Sequence, residues 1–257
     1  MRTGEPAESL QRAPVEERPV TTTLRTLACS LAAAAAILAT PYLATAADEK
    51  SATERIDKSI AVLNELVSVP ENGIPQHILD RAEAIVVIPT LVKGGFVIGA
   101  EHGRGVMSIR DRAAGKWSLP AFVAMTGGSV GWQIGVQSTD LVLLVMNRDG
   151  VDDLLKSEFK IGADASVAAG PVGRTAQAAT DASMGAKILA YSRAKGFFAG
   201  LSLQGTSVRE DRDANRDLYG QQQASSAVLA MTLDTPPAAA KRWQDALARM
   251  VPPAQAR

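Results

Sequence analysis

Ile85 to Met146 reads IVVIPTLVKGGFVIGAEHGRGVMSIRDRAAGKWSLPAFVAMTGGSVGWQIGVQSTDLVLLVM. Six short runs stand out: Ile85–Ile88, Gly95–Ala100, Gly105–Ile109, Ser118–Ala124, Ser129–Val136 and Leu141–Met146. Each is rich in β-branched or aromatic residues, and Gly, Pro, Asp and Ser turns separate them at close spacing, which is the pattern of successive strands. Val130, Trp132, Ile134 and Val136 alternate with smaller or polar residues, so that strand is expected to bury one face. Leu141–Met146 is apolar on both faces and is expected at the centre of its sheet. Gly94, Gly95, Gly99, Gly103 and Gly105 miss the dinucleotide-binding spacing, and no Walker lysine follows them. They read as bulges and tight turns of a curved sheet.

Helices are expected on either side. Ser51–Val69 carries Ile56, Ile60, Leu63 and Val67 at helical spacing, with Val62, Leu66 and Val69 widening the stripe. Such a stripe serves either as core packing or as a membrane-surface or partner helix. Pro75–Ala84 reads as a second short helix, and Asp149 can cap a third through Ser157. Strands are expected again over Ala163–Ala169, Ala186–Tyr191 and Phe197–Leu203, followed by the charged segment Arg209–Tyr219 and a Pro-initiated helix over Ala238–Met250. No internal repeat and no long linker divides this succession. It predicts a single α+β domain, a curved antiparallel sheet system with N-terminal and C-terminal helices.

The 257 residues carry 27 Lys and Arg against 27 Asp and Glu. Electroneutrality gives no general attraction to nucleic acid, and any anionic membrane must be met by a local cluster. At the N-terminus, Arg18 and Arg25 precede the Ala-rich run Leu27–Thr40, and Ala44-Thr45-Ala46 supplies small residues suited to cleavage. The run is short and Ala-rich for a membrane span. A cleaved signal over residues 1–46 is expected, leaving 47–257 as the mature domain in the periplasm, secreted, or associated with the cell envelope. The acidic stretch before the run fits a translation start nearer Val15 or Val20. Cys29 begins the apolar run instead of following it, which argues against a lipoprotein box. The mature chain then has no cysteine for a disulfide or thiolate site.

Chemical constellations mostly fail. Gly127-Gly128-Ser129-Val130-Gly131 matches the nucleophile-elbow pattern, but that elbow needs a following helix and a later histidine. Here an alternating strand follows, and His77 and His102 both precede Ser129. A serine hydrolase is the remote alternative. Neither histidine sits in a metal-ligand spacing, so no metal site, cofactor or catalytic residue is expected. Arg209–Asp217 balances three arginines against four acids and reads as a solvated helix face or salt-bridged turn.

Arg174, Arg193 and Lys195 are different, having no acid in the adjoining few residues. Tyr191, Phe197 and Phe198 lie beside the last two. Cations flanked by rings suit an acidic amphiphile, whose head pairs with the cations while the rings meet its acyl region. Ordinary cations at sheet ends are the alternative.

Several motifs in order resemble one family: Ala84-Ile85-Val86-Val87-Ile88-Pro89, Lys93-Gly94-Gly95-Phe96, Gly103-Arg104-Gly105-Val106, Trp117-Ser118-Leu119-Pro120-Ala121-Phe122, Gly162–Ala168, Gly170-Pro171-Val172-Gly173-Arg174 and Tyr191–Gly200. From Ser51 to Gly220 the chain resembles the SYLF-domain family, the actin-regulator domain of yeast endocytic proteins. The resemblance implies a non-enzymatic lipid-binding module. Eukaryotic members bind phosphoinositides, partly through an amphipathic helix at the start of the domain, and fungal members also bind actin. Bacterial members are exported and considered lipid-binding. No appended adaptor or lipid-finger domain is read in this sequence, and the expected signal would place it away from actin. The expected partner is therefore an anionic lipid or membrane surface, with Lys93, Arg174, Tyr191, Arg193, Lys195, Phe197 and Phe198 as the contact residues. The alternative is an envelope structural or protein-interaction module that uses the N-terminal helix.

Overall fold

Four long strands rise from the apolar runs: β1 Ala84–Gly95, β2 Ile98–Asp111, β4 Ala121–Val130 and β5 Gly135–Val145. The structure is a computed structural model that describes residues 40–68, 73–95, 98–130, 135–172, 185–193, 203 and 205–252. Thr45–Arg257 forms one compact unit and Met1–Ala44 another, of which only the start of the first helix is described. The shorter strands are β3 Lys116–Trp117, β6 Glu158–Lys160, β7 Val167–Ala169, β8 Ile188–Arg193 and β9 Ser207–Glu210. They join the long strands in one sheet of order β6-β9-β4-β2-β1-β5-β8-β7, with β3 paired to β2. The sheet curls into a half-barrel. Every pairing is antiparallel except β7 with β8, which is parallel, so the sheet is mixed and not wholly antiparallel as expected.

The helices are α1 Thr40–Ser68, α2 Gln76–Leu79, α3 Arg148–Leu154, α4 Arg212–Tyr219, α5 Ser225–Ala230 and α6 Ala238–Met250. Both faces of the sheet are covered. On one face Ile56, Leu63 and Leu66 of α1 and Trp243 and Leu247 of α6 pack on Val87, Val106, Phe122, Val142 and Leu189. On the other, Val151 and Leu154 of α3 and Val228 and Leu229 of α5 pack on Val86, Met107, Val123, Leu143 and Ile188. Leu141–Val145 is buried at every position, as a doubly covered central strand requires. The stripe of α1 is thus core packing over residues 51–68. Full burial of one such aliphatic side chain is worth about 1.5–3 kcal/mol.

Polar contacts fix the covering layers. Trp243 Nε1–H donates to Ser108 Oγ at 2.7 Å, both buried. Arg55 of α1 donates to Asp211 Oδ2 at 2.9 Å, with its guanidinium 5.2 Å from the Phe122 ring centre. Asp153 of α3 accepts from Lys156 at 2.7 Å and from Lys187, beside β8, at 2.8 Å.

Several boundaries differ from the expectation. Gly95–Ala100 is not one strand, because β1 ends at Gly95 and β2 begins at Ile98. Ser129–Val136 likewise divides between the end of β4 and the start of β5, and Trp132 and Ile134 lie outside the described residues. Gly99, Gly103 and Gly105, expected at bulges and turns, lie inside β2 in regular register with β4, while Gly95 ends β1. Asn147, not Asp149, caps α3, its Oδ1 accepting from Gly150 N–H at 2.9 Å. The segment expected as a strand from Ala163 contributes only Val167–Ala169, after a turn closed by the Gly162 and Asp164 N–H groups. The charged segment contains α4, capped by Asp211 and ended by Gly220 at φ 74°. Phe197–Leu203 lies outside the described residues except for Leu203.

Candidate functional site

Strand β8 carries the aromatic residue expected to meet ligand, and strand alternation sends it inward. Leu189 and Tyr191 face α1, and Tyr191 is 1% exposed. Its ring lies on Gly170, and its hydroxyl donates to Pro171 O at 3.4 Å. Burial pushes the Tyr191 phenol pKa up. Tyr191 is therefore a core residue, a correction to its reading as a lipid-facing ring. Arg193, two residues on, shares the face of Tyr191 and forms an ion pair with Glu65 of α1, so it is not the unpaired cation expected from its neighbours in sequence. Glu65 could not be found by scanning adjacent residues, since the fold supplies it from another element.

Lys93 does not join Arg193. It stands opposite Glu101 on β2 and Gln137 on β5, on the α3/α5 face of the sheet. Glu101 is 5% exposed, with Oε1 accepting from Thr206 Oγ1 and Oε2 buried without a hydrogen-bond partner among the described residues. Gly127 makes this placement possible, because a Cβ there would stand 2.4 Å from Glu101 Oε1. Arg174, Lys195, Phe197 and Phe198 lie outside the described residues.

On the α1/α6 face, beyond the helices, the sheet brings together cations that the sequence reading passed over. Ala124 of β4 has Arg104 of β2 on one side and Arg209 of β9 on the other, so two guanidinium-bearing side chains flank one methyl group. His102 follows in the next row, opposite Thr126 and Val92, and Val92 is 39% exposed. Arg104, His102 and Arg209 line a shallow cleft of about 400 Å³. The acids of that cleft are already paired: Glu210 with Arg212, which also lines the cleft, Asp211 with Arg55, and Asp213 with Arg216. Arg209 meets Glu158 at 3.1 Å, while Arg104 has no acidic partner among the described residues. The sequence signal was an arginine between two strand glycines, Gly103-Arg104-Gly105.

Ser129 lies on β4, paired with Gly99 of β2, so its backbone is strand and not the strand-to-helix turn of a nucleophile elbow. Among the described residues no cluster of His, Cys, Asp and Glu has metal-binding geometry, and no helix is long and apolar enough to cross a membrane.

A curled mixed sheet covered on both faces by helices, with a basic strip across β2, β4 and β9, defines a domain of the α+β class. Residues 126–250 match the family described as Ysc84, Las17-binding protein actin regulator. The chain belongs to this Ysc84/SYLF domain family. It is 38% identical over 196 residues to LAS seventeen-binding protein 3 of Saccharomyces cerevisiae, covering 74% of this chain and 42% of that one. It is 40% identical over 171 residues to Protein YSC84 of the same yeast, covering 65% of this chain and 36% of the relative. It is 30% identical over 170 residues to SH3 domain-containing YSC84-like protein 1 of Xenopus laevis, covering 64% and 50%. The matched segment thus spans half or less of each of these relatives.

Proposed function

We propose that this domain binds an anionic lipid, or a similar acidic amphiphile, at a membrane surface. The observation that carries the reading is the strip around Ala124, flanked by Arg104, which has no acidic partner among the described residues, and by the exposed Arg209, whose acidic partner is Glu158. Guanidinium groups suit phosphate and carboxylate oxygens through bidentate hydrogen bonds. Val92, exposed on the same face, offers an apolar contact beside them. Arg174, Lys195, Phe197 and Phe198 remain in the proposed lipid contact on sequence grounds, whereas Lys93 lies on the opposite face of the sheet and Arg193 is paired with Glu65. The domain acts outside the cytoplasm after cleavage near Ala46, and an N-terminus at Ala47 in the exported protein tests that part. A diacylated Cys29 would overturn it.

Flotation with vesicles tests the binding. Wild type should float with vesicles of phosphatidylglycerol and phosphatidylcholine at low salt and stay behind with phosphatidylcholine alone. Cations near a membrane contribute about 1 kcal/mol each, so Arg104→Ala with Arg209→Ala should weaken flotation by about tenfold or more. Equal flotation of the double variant would overturn the assignment of the strip.

A second reading is a protein-interaction module, favoured by the actin-regulator description of the family. Actin thereby stays among the candidate partners. Co-sedimentation with filamentous actin in the absence of lipid distinguishes this reading. The apolar stripe of α1 is engaged in the core over residues 51–68, which points such a partner away from that stripe.

A further inference from the structure

A second cleft, of about 1010 Å³, opens at the other end of the long strands, between the β2–β3 turn, the N-terminus of α3 and the segment linking α5 to α6. That volume lies at the upper end of the range typical of small-molecule sites. Its wall is divided by chemistry. Leu229, Met231 and Leu233 supply an apolar side, and Leu233 is 38% exposed, one of two large apolar side chains so exposed among the described residues. The opposite chemistry comes from Arg112, Lys116 and Arg148.

The two acids in the wall are already engaged. Glu83 accepts from Arg112 at 2.5 Å, and Asp111 Oδ1 accepts the N–H groups of Ala113 and Ala114 at 2.9 and 3.0 Å. Lys116 makes no ion pair among the described residues, although it stands opposite Asp111 in the β2–β3 ladder. Arg148 meets Glu83 at 3.9 Å, the outer limit of an ion pair, and its side chain is 68% exposed. Lys116 is thus left to an incoming anion, and the exposed Arg148 can turn to it at little cost. Trp117 adds a third observation. It lines the same cleft and is buried, and its Nε1–H has no acceptor among the described residues, although such a donor in a native interior normally has one.

We propose that this cleft takes one molecule of a single-chain anionic amphiphile. The alkyl chain lies along Leu229, Met231 and Leu233, the anionic head meets Lys116 and Arg148, and a ligand oxygen supplies the acceptor that Trp117 Nε1–H lacks. The site is separate from the strip around Ala124 and takes a dissolved molecule instead of a bilayer surface, so it does not depend on the membrane reading.

Equilibrium dialysis of the full chain against dodecanoate, below its micelle concentration, tests the proposal, with dodecyl phosphate and 1-dodecanol as comparisons. Wild type should bind one dodecanoate per chain, and the uncharged alcohol should bind about tenfold more weakly or less. Preference between carboxylate and phosphate identifies the head. Leu233→Asp, at an exposed position, and Lys116→Glu with Arg148→Glu should each weaken dodecanoate binding by about tenfold or more while the melting temperature holds. Trp117→Phe should weaken it several-fold. Failure of wild type to bind, equal binding of alcohol and carboxylate, or unchanged binding by Leu233→Asp would overturn the proposal. Flotation of Leu233→Asp with anionic vesicles should match wild type. Its loss together with dodecanoate binding would show one membrane contact in place of two sites. Monomer binding that persists in a wild type unable to float would support this cleft and remove only the membrane reading.

Discussion

Gly170 lies flat against the ring of Tyr191, so closely that a methyl group built on Gly170 would stand 2.1 Å from Tyr191 Cζ. The ring is in the core and cannot move aside without displacing α1 contacts. Gly170→Ala should therefore cost about 1–3 kcal/mol, read as a fall in the urea midpoint. Tyr191→Phe keeps the ring and loses only a long hydroxyl contact to Pro171, so a much smaller fall is expected. An unchanged midpoint for Gly170→Ala would show that the ring is not so confined.

Arg55, on the sheet-facing side of α1, is buried, paired with Asp211 and lying over Phe122. Removing one partner of such a pair leaves the other charge desolvated, at about 3–5 kcal/mol. Arg55→Ala should approach that loss in chemical denaturation. Arg55→Lys should recover only part of it, because an ammonium lacks the planar stacking surface.

Trp243 joins α6 to the sheet through Ser108. Trp243→Phe leaves the Ser108 hydroxyl without its donor and should cost about 1–3 kcal/mol, while Trp243→Ala should cost about 3–5 kcal/mol by opening a cavity. Ser108→Ala offers a check, since it orphans the indole N–H without changing the packing volume greatly. Thermal unfolding of the three variants should rank Trp243→Ala lowest.

Stability should fall at both ends of the pH scale for identifiable reasons. Hydrogen bonds from Lys156 and then Lys187 hold the Asp153 carboxyl below its ordinary value of 3.8. The stabilisation this gives is fully present above that value and is lost as pH falls below it through the folded-state pKa. Asp153→Asn should flatten the acid limb of a urea midpoint against pH curve. At the alkaline end, burial raises the pKa values of Tyr191 and Tyr219 above 10.0. Ionisation then favours the unfolded chain once pH passes that value, so phenolate absorbance of these two should appear together with unfolding. Titration of either in the folded protein would contradict their burial.

Most of the sheet and the helices α1, α3 and α6 are legible in the chain because hydrophobic period is a local property, whereas β6, β9 and α5 are too short to show one. Leu141–Met146 announced a doubly buried strand, and Ala238–Met250 was read to the residue. The proposed site was much less legible. Tyr191 and Arg193 read as a surface pair because nothing near them in sequence covers them, whereas Gly170 and Glu65 do so from other elements. Arg104 and Arg209 are 105 positions apart in the numbering and meet only through the order β9-β4-β2. The face that Lys93 occupies is hidden from the sequence for a subtler reason. Val87 faces α1, and counting by twos from it would put Lys93 on that face, but the pairing shifts between Ile88 and Leu91.

That shift sits at Pro89-Thr90, where proline offers no N–H to the ladder and Thr90 takes φ 67°, its own N–H donating to Asp140 Oδ1 at 3.0 Å. One surplus residue is absorbed there. A chain shortened by one at this joint would keep Leu91 and Lys93 on the face they occupy, whereas the same deletion at Val86 would turn over the remainder of β1 up to the bulge and misalign it with both neighbours. The strand therefore has a single place at which length can vary without exchanging inside for outside. Single-residue insertions and deletions in β1 should be tolerated best at that point.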